Sequence, residues 1–148
     1  MPQDPLPAQQ ARDLRALAGT IIPASAAYGV PGADDERIFG DILGSLGRDR
    51  DDVCRALADL AMLAGGGFAE LAPARRNEVA ARLREAGGAP LAALVRVVLL
   101  CYYRDDRVMR SLGQEPRPPF PKGHVVEQGD WSLLDPVRAR PKMYRRVE

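Results

Sequence analysis

The side chains that could do chemistry are few and scattered. The single histidine, His124, stands between Gly123 and Val125 on a proline-rich stretch. A lone imidazole cannot assemble a triad or a metal site without partners close by. Three carboxylate pairs, Asp34-Asp35, Asp51-Asp52 and Asp105-Asp106, could divide the roles of acid and base. Each pair is adjacent in sequence at the start of a helical pattern, where capping of free N–H groups explains it without catalysis. Cys54 and Cys101 match neither a metal-ligand spacing nor a Cys-x-x-Cys redox motif. Both sit inside apolar helical patterns, where a free cysteine behaves as a small buried hydrophobe rather than half of a disulfide. Gly65-Gly66-Gly67 could pass for a phosphate loop, but no Gly-Lys-Ser/Thr follows and no strand precedes it, so it reads as a helix terminus. Tyr102-Tyr103 could stack on a ligand, although closing the polar end of a buried helix is the commoner use. Pro118-Pro119-Phe120-Pro121 resembles a polyproline ligand, yet the apolar residues flanking it argue for a docked segment. No catalytic, cofactor-binding or metal-ligating set is expected, and the chain is not expected to be catalytic alone.

The elements that must position these residues are helices. At 148 residues the chain has the length of one domain with a real core. Lys and Arg number 21 against 20 Asp and Glu, a net charge of +1, which gives no electrostatic case for nucleic acid. The first helix spans about residues 8–22, with Leu14, Leu17, Ala18, Ile21 and Ile22 on one face and Pro23 as its stop. After a small-residue loop, Asp34 or Asp35 caps a second helix with the stripe Ile38, Phe39, Ile42, Leu43 and Leu46, ended by Gly47. A third starts near residues 49–52 and buries Val53, Leu57 and Leu60, with Ala64 at its end. The fourth opens at Pro73 and has a thin apolar face of Val79, Ala80 and Leu83, so it should be the most exposed. The fifth starts at Pro90 and is apolar almost all round from Leu91 to Tyr103, broken only by Arg96. About 13 residues are too few to cross a bilayer, which needs roughly 20, so no membrane insertion is expected. A helix apolar on every side should be surrounded by protein, which makes this one the centre of the bundle. A short polar helix, residues 105–112, then ends at Gly113.

The last third of the chain is different. Prolines 116, 118, 119, 121, 136 and 141 rule out a long helix. The stretch nevertheless carries large apolar side chains, in which disordered linkers are poor. We therefore expect an all-α bundle of about five helices over residues 1–113. A long, proline-rich, irregular arm over residues 114–148 should pack on that bundle, on a partner, or on both. Arginine among aromatic and apolar anchors is the composition of interface hot spots. Phe120, Trp131, Leu133, Leu134, Arg138, Arg140, Met143, Tyr144 and Arg145 are accordingly the candidate partner-binding residues.

Two sets of residues carry a family resemblance. One is Leu17-Ala-Gly-Thr-Ile-Ile-Pro-Ala24 followed by Gly29-Val-Pro-Gly-Ala-Asp-Asp35. The other is Tyr102-Tyr-Arg-Asp-Asp-Arg-Val-Met-Arg-Ser-Leu-Gly113 with Arg117-Pro-Pro-Phe-Pro-Lys-Gly123 and Asp130-Trp-Ser-Leu-Leu-Asp-Pro-Val-Arg138. Together they resemble the gluconate 2-dehydrogenase subunit 3 family, small subunits of sugar dehydrogenases. The resemblance implies a non-catalytic accessory subunit that binds a large flavoprotein of the glucose-methanol-choline oxidoreductase class. FAD would sit in that partner, with no cofactor in this chain, and a cytochrome c subunit would take the electrons. Many members carry a twin-arginine export signal. This chain begins Met-Pro-Gln-Asp-Pro and shows none, so the expectation is a cytoplasmic complex, or a periplasmic one if a signal has been removed. The competing readings are a self-contained helical adaptor or chaperone that binds a client transiently, and a small enzyme, which the lack of a polar constellation disfavours.

Overall fold

Proline and glycine set the ends of the helices. The computed structural model describes residues 5–117, 123 and 125–143. Over these residues the chain is all-α, with no β-strand and a single antiparallel bridge between Ser25 and Val30. Its helices are α1 (Ala8–Ile21), α2 (Glu36–Gly44), α3 (Arg50–Ala64), α4 (Pro73–Ala86), α5 (Ala89–Tyr103), α6 (Asp106–Ser111) and α7 (Asp135–Arg138). Ile22, extended just before Pro23, closes α1. Gly65 closes α3 in the left-handed conformation that only glycine adopts cheaply, at φ +73°. Pro73 and Pro90 stand in the first turns of α4 and α5, where a missing N–H costs nothing. The chain divides into two units after Pro116.

In the first unit the buried positions recur every three or four residues. Leu14 and Leu17 of α1, Ile38 and Ile42 of α2, and Val53, Leu57 and Leu60 of α3 meet Leu94, Val98 and Cys101 of α5. Val79 and Leu83 from α4 and Val108 from α6 complete the cluster. Each such side chain contributes about 1.5–3 kcal/mol by leaving water. α3 packs against α4 and α5, while α5 also lies on α2 and continues into α6. Phe68, the bulkiest fully buried side chain, comes from the turn Phe68–Glu70 between α3 and α4. Both cysteines are free; Cys101 is buried, and burial pushes its thiol up, which leaves it unreactive.

Three expectations need correction. Gly47 does not end α2, which stops at Gly44; Gly47, at φ +43°, opens a separate tight turn over Gly47–Asp49. α5 is not enclosed on every side. Its buried residues, Ala93, Leu94, Val97, Val98, Cys101 and Tyr102, form one stripe. On the opposite stripe Leu99, Leu100 and Tyr103 are exposed, with no other helix of the first unit covering them among the described residues. An apolar sequence measures how many faces a helix could bury, not how many neighbours the chain supplies. Finally, the arm is not irregular throughout. In the second unit a tight turn, Trp131–Leu134, runs directly into the short α7.

Candidate partner interface

The first unit is locked by a charged clasp. Asp35 is the N-cap of α2, its Oδ1 accepting from the backbone N–H groups of Arg37 (3.1 Å) and Ile38 (3.4 Å). Asp105 does the same for α6, accepting from the Arg107 N–H at 2.9 Å. The Arg107 guanidinium joins the two caps. Its Nη2 donates to Asp35 Oδ1 at 2.7 Å, its Nη1 to Asp35 Oδ2 at 3.2 Å, and its Nε to Asp105 Oδ1 at 2.9 Å. The Asp105 side chain is only 4% exposed, and the Arg37 Nε lies 3.9 Å from its Oδ2. Both carboxyls titrate below the ordinary value of 3.8. In each the hydrogen bond from Arg107 is the largest cause, and it outweighs the desolvation that acts in the opposite direction. A third link runs from the Tyr102 hydroxyl, which donates to the Pro31 carbonyl at 3.2 Å. The Pro31–Asp35 turn is tight. A Cβ on Gly32 would stand 2.9 Å from the Ala24 backbone nitrogen, besides meeting the Asp34 carboxylate.

This clasp joins the Pro31–Asp35 turn to Tyr102–Arg107. Their chemistry is spent on holding α2, α5 and α6 together. The side chains left to meet another molecule lie elsewhere.

One such set is the outer stripe of α5, with Leu100 60% and Tyr103 53% exposed. Its charged members are already matched within the chain. Arg96 donates to Asp49 at 2.7 Å, and Arg104 forks onto Asp41 and Ser45 of the α2 end. Sequence reasoning missed this surface by treating Arg96 as a lone interruption. The signal was present, because Arg96, Leu100, Tyr103 and Arg104 share a face at helical spacing and two of them must reach solvent.

The other set is in the second unit. Asp130 caps the turn at Trp131–Leu134, its Oδ1 accepting from the Ser132 N–H at 3.0 Å and the Ser132 hydroxyl at 2.6 Å. The capped turn and α7 bring Trp131, Leu133, Leu134 and Val137 together within one short helical segment, all exposed, with Trp131 at 63%. Arg138 donates to Asp135 at 3.3 Å. Arg140 and Met143 line a shallow cleft with Val137 and Pro141. Phe120, Tyr144 and Arg145, like His124, lie outside the described residues. Among the described residues no group of three or more His, Cys, Asp and Glu could hold a metal ion, and no helix is long and apolar enough to cross a membrane. Comparison with protein-family models, with curated proteins and with solved structures finds no match to the chain.

Proposed function

We propose that the chain is a non-catalytic accessory subunit of a flavin-dependent sugar or alcohol dehydrogenase. It binds the FAD-carrying large subunit and supports its folding, stability or export. The observation that carries the binding role is the capped turn of the second unit, which holds Trp131 63% exposed beside Leu133, Leu134 and Val137. Large apolar side chains grouped in solvent mark a surface meant for another protein. A single tryptophan in such a group is the residue type that most often dominates binding energy. The partner's identity rests on the resemblance of Leu17–Ala24, Gly29–Asp35 and the C-terminal third to the small-subunit family. FAD belongs to that partner, and a cytochrome c subunit would complete the chain of electron transfer.

The test is co-expression with a glucose-methanol-choline type flavoprotein encoded beside this chain. A yellow complex that co-purifies at a fixed ratio is expected. Trp131→Ala should weaken that complex by about 2 kcal/mol, roughly thirtyfold, measured by titrating the purified subunits. Absence of any complex would end this reading. A complex that forms only with the FAD-free flavoprotein and dissolves on flavin loading would identify a chaperone instead.

A further inference from the structure

Three arginines converge at a place that neither the clasp nor the exposed apolar groups involve. Arg12 and Arg15 of α1, three positions apart, and Arg76 of α4 line one cleft of about 280 Å³, together with Asp34 and Ala69. Each guanidinium is held in direction by a neutral group. Arg15 Nε donates to the Asp34 carbonyl at 2.8 Å, and its guanidinium carbon stands 5.6 Å from the centre of the Phe39 ring. Arg76 Nη2 donates to the Ala69 carbonyl, and Arg12 Nη2 to Gln9 Oε1. Carbonyl and amide oxygens orient an arginine without cancelling its charge.

Among the described residues, Arg12 alone of the three has an acidic partner, Glu70 at 3.7 Å. Arg15 and Arg76 are therefore like charges gathered on one cleft without an anion between them. Their donors are also incompletely used. Both Nη groups of Arg15 and the Nη1 of Arg76 have no acceptor among the described residues, and Arg76 Nε is buried without one. A buried donor left so is costly, and a charged one more so. The only carboxylate that lines the cleft is Asp34, whose side-chain oxygens accept no hydrogen bond among the described residues. Glycine makes room for it: a Cβ on Gly19 would come within 2.8 Å of the Asp34 Cγ.

We propose that this cleft binds the oxyanion of a small hydroxylated molecule, a phosphate or a carboxylate group. Arg15 and Arg76 donate to its oxygens from α1 and α4, and Asp34 accepts from a neighbouring hydroxyl. Planar, always-charged forks are the side chains suited to phosphate and carboxylate, since one group can take two parallel bonds. Asp34 disfavours a bare polyanion, because a carboxylate on the rim repels any further negative charge. The site lies wholly in the first unit and does not depend on the proposed function, which rests on the second.

The probes are glycerol 3-phosphate and glycerate, titrated into the full ¹⁵N-labelled chain, with glycerol and sodium chloride at matched ionic strength as controls. Both acids carry the hydroxyl, so the tighter of the two identifies the oxyanion. The expected result is saturable movement of the Arg15 and Arg76 Nε–Hε signals and the Ala69 amide with at least one acid and neither control. Arg15→Gln and Arg76→Gln should each weaken that acid at least fivefold with unchanged helical circular dichroism. Arg15→Lys, which keeps the charge but loses the fork, should fall between. Arg48→Gln, at an arginine exposed in the tight turn before α3, should change nothing. Shifts that follow ionic strength alone, an equal loss from Arg48→Gln, or no saturation by about 50 mM would each overturn the proposal. So would an Arg15→Gln variant that binds the acids normally but no longer holds the flavoprotein, since the arginines would then be part of a protein interface. If the acids bind as described and no flavoprotein co-purifies, the cleft stands and the accessory role falls.

Discussion

Asp105 shows how a residue that looks catalytic can be wholly committed to structure. As half of an Asp-Asp pair at a helix start it reads as a cap, and it is one, but its burial and its bond to Arg107 could not be read from spacing alone. Arg107 and Asp35 are 72 positions apart, and only the folded chain joins them. Asp13 makes the same point. It lies on the buried side of α1 and accepts from the Ala69 N–H at 2.8 Å, which positions the turn that buries Phe68. The pH consequence of the clasp follows in sign. Asp35 and Asp105 both titrate lower in the folded protein than the 3.8 of an ordinary carboxyl, so protonation favours the unfolded chain. Their stabilisation is complete above that value and is lost as pH falls through the lowered folded values. Melting midpoints should hold steady down to about pH 5 and drop by about pH 3. Arg107→Ala should cost about 1–3 kcal/mol at neutral pH, tempered by the partial exposure of the guanidinium, and should shrink the acid-induced drop. An acid response as steep in the variant as in the parent would show that other carboxylates govern it.

At the scale of elements, α5 is two helices in one. Leu94→Ala on the buried stripe should destabilise by about 2–5 kcal/mol. Leu100→Ser on the outer stripe should move stability by no more than about 0.5 kcal/mol. Leu83→Ala should fall between them, because Leu83, though buried, lines an open crevice between α1, α4 and α5. Chemical denaturation of the three variants checks the order, and a large loss from Leu100→Ser would mean that the stripe is internal packing. Helix positions were legible in the sequence because Pro23, Gly65, Pro73 and Pro90 act through their own backbones. The capping Asp35 and the thin face of α4, with only Val79 and Leu83 buried, were legible for the same local reason. Less legible was whatever depends on which neighbour arrives. The outer face of α5, the burial of Phe68 and the union of Arg107 with two separate caps are properties of assembly. The turn before α7 was local and could have been found: Asp130-Trp-Ser132 is a capping sequence, and Pro136 sits in the first turn that follows.

For the whole molecule, the division after Pro116 carries the main expectation. Every residue of the buried cluster lies between Leu6 and Val108. Deleting residues 128–148 should therefore leave the helical signal of the first unit intact and its melting midpoint within about 4 °C. Under the proposed function, the same deletion abolishes the flavoprotein complex. Collapse of the helical signal would place part of the core in the deleted segment. The location of Trp131 has one more effect, which is optical. It is the chain's only tryptophan, and it belongs to the exposed turn rather than to the buried cluster. Indole emission in the free protein should lie at the long wavelengths of a hydrated ring and stay there while the helices melt. Under the proposed function it should move to shorter wavelength when the flavoprotein binds. The chain thus comes with a built-in fluorescent reporter that is silent to folding and speaks only when a partner removes water from one side chain.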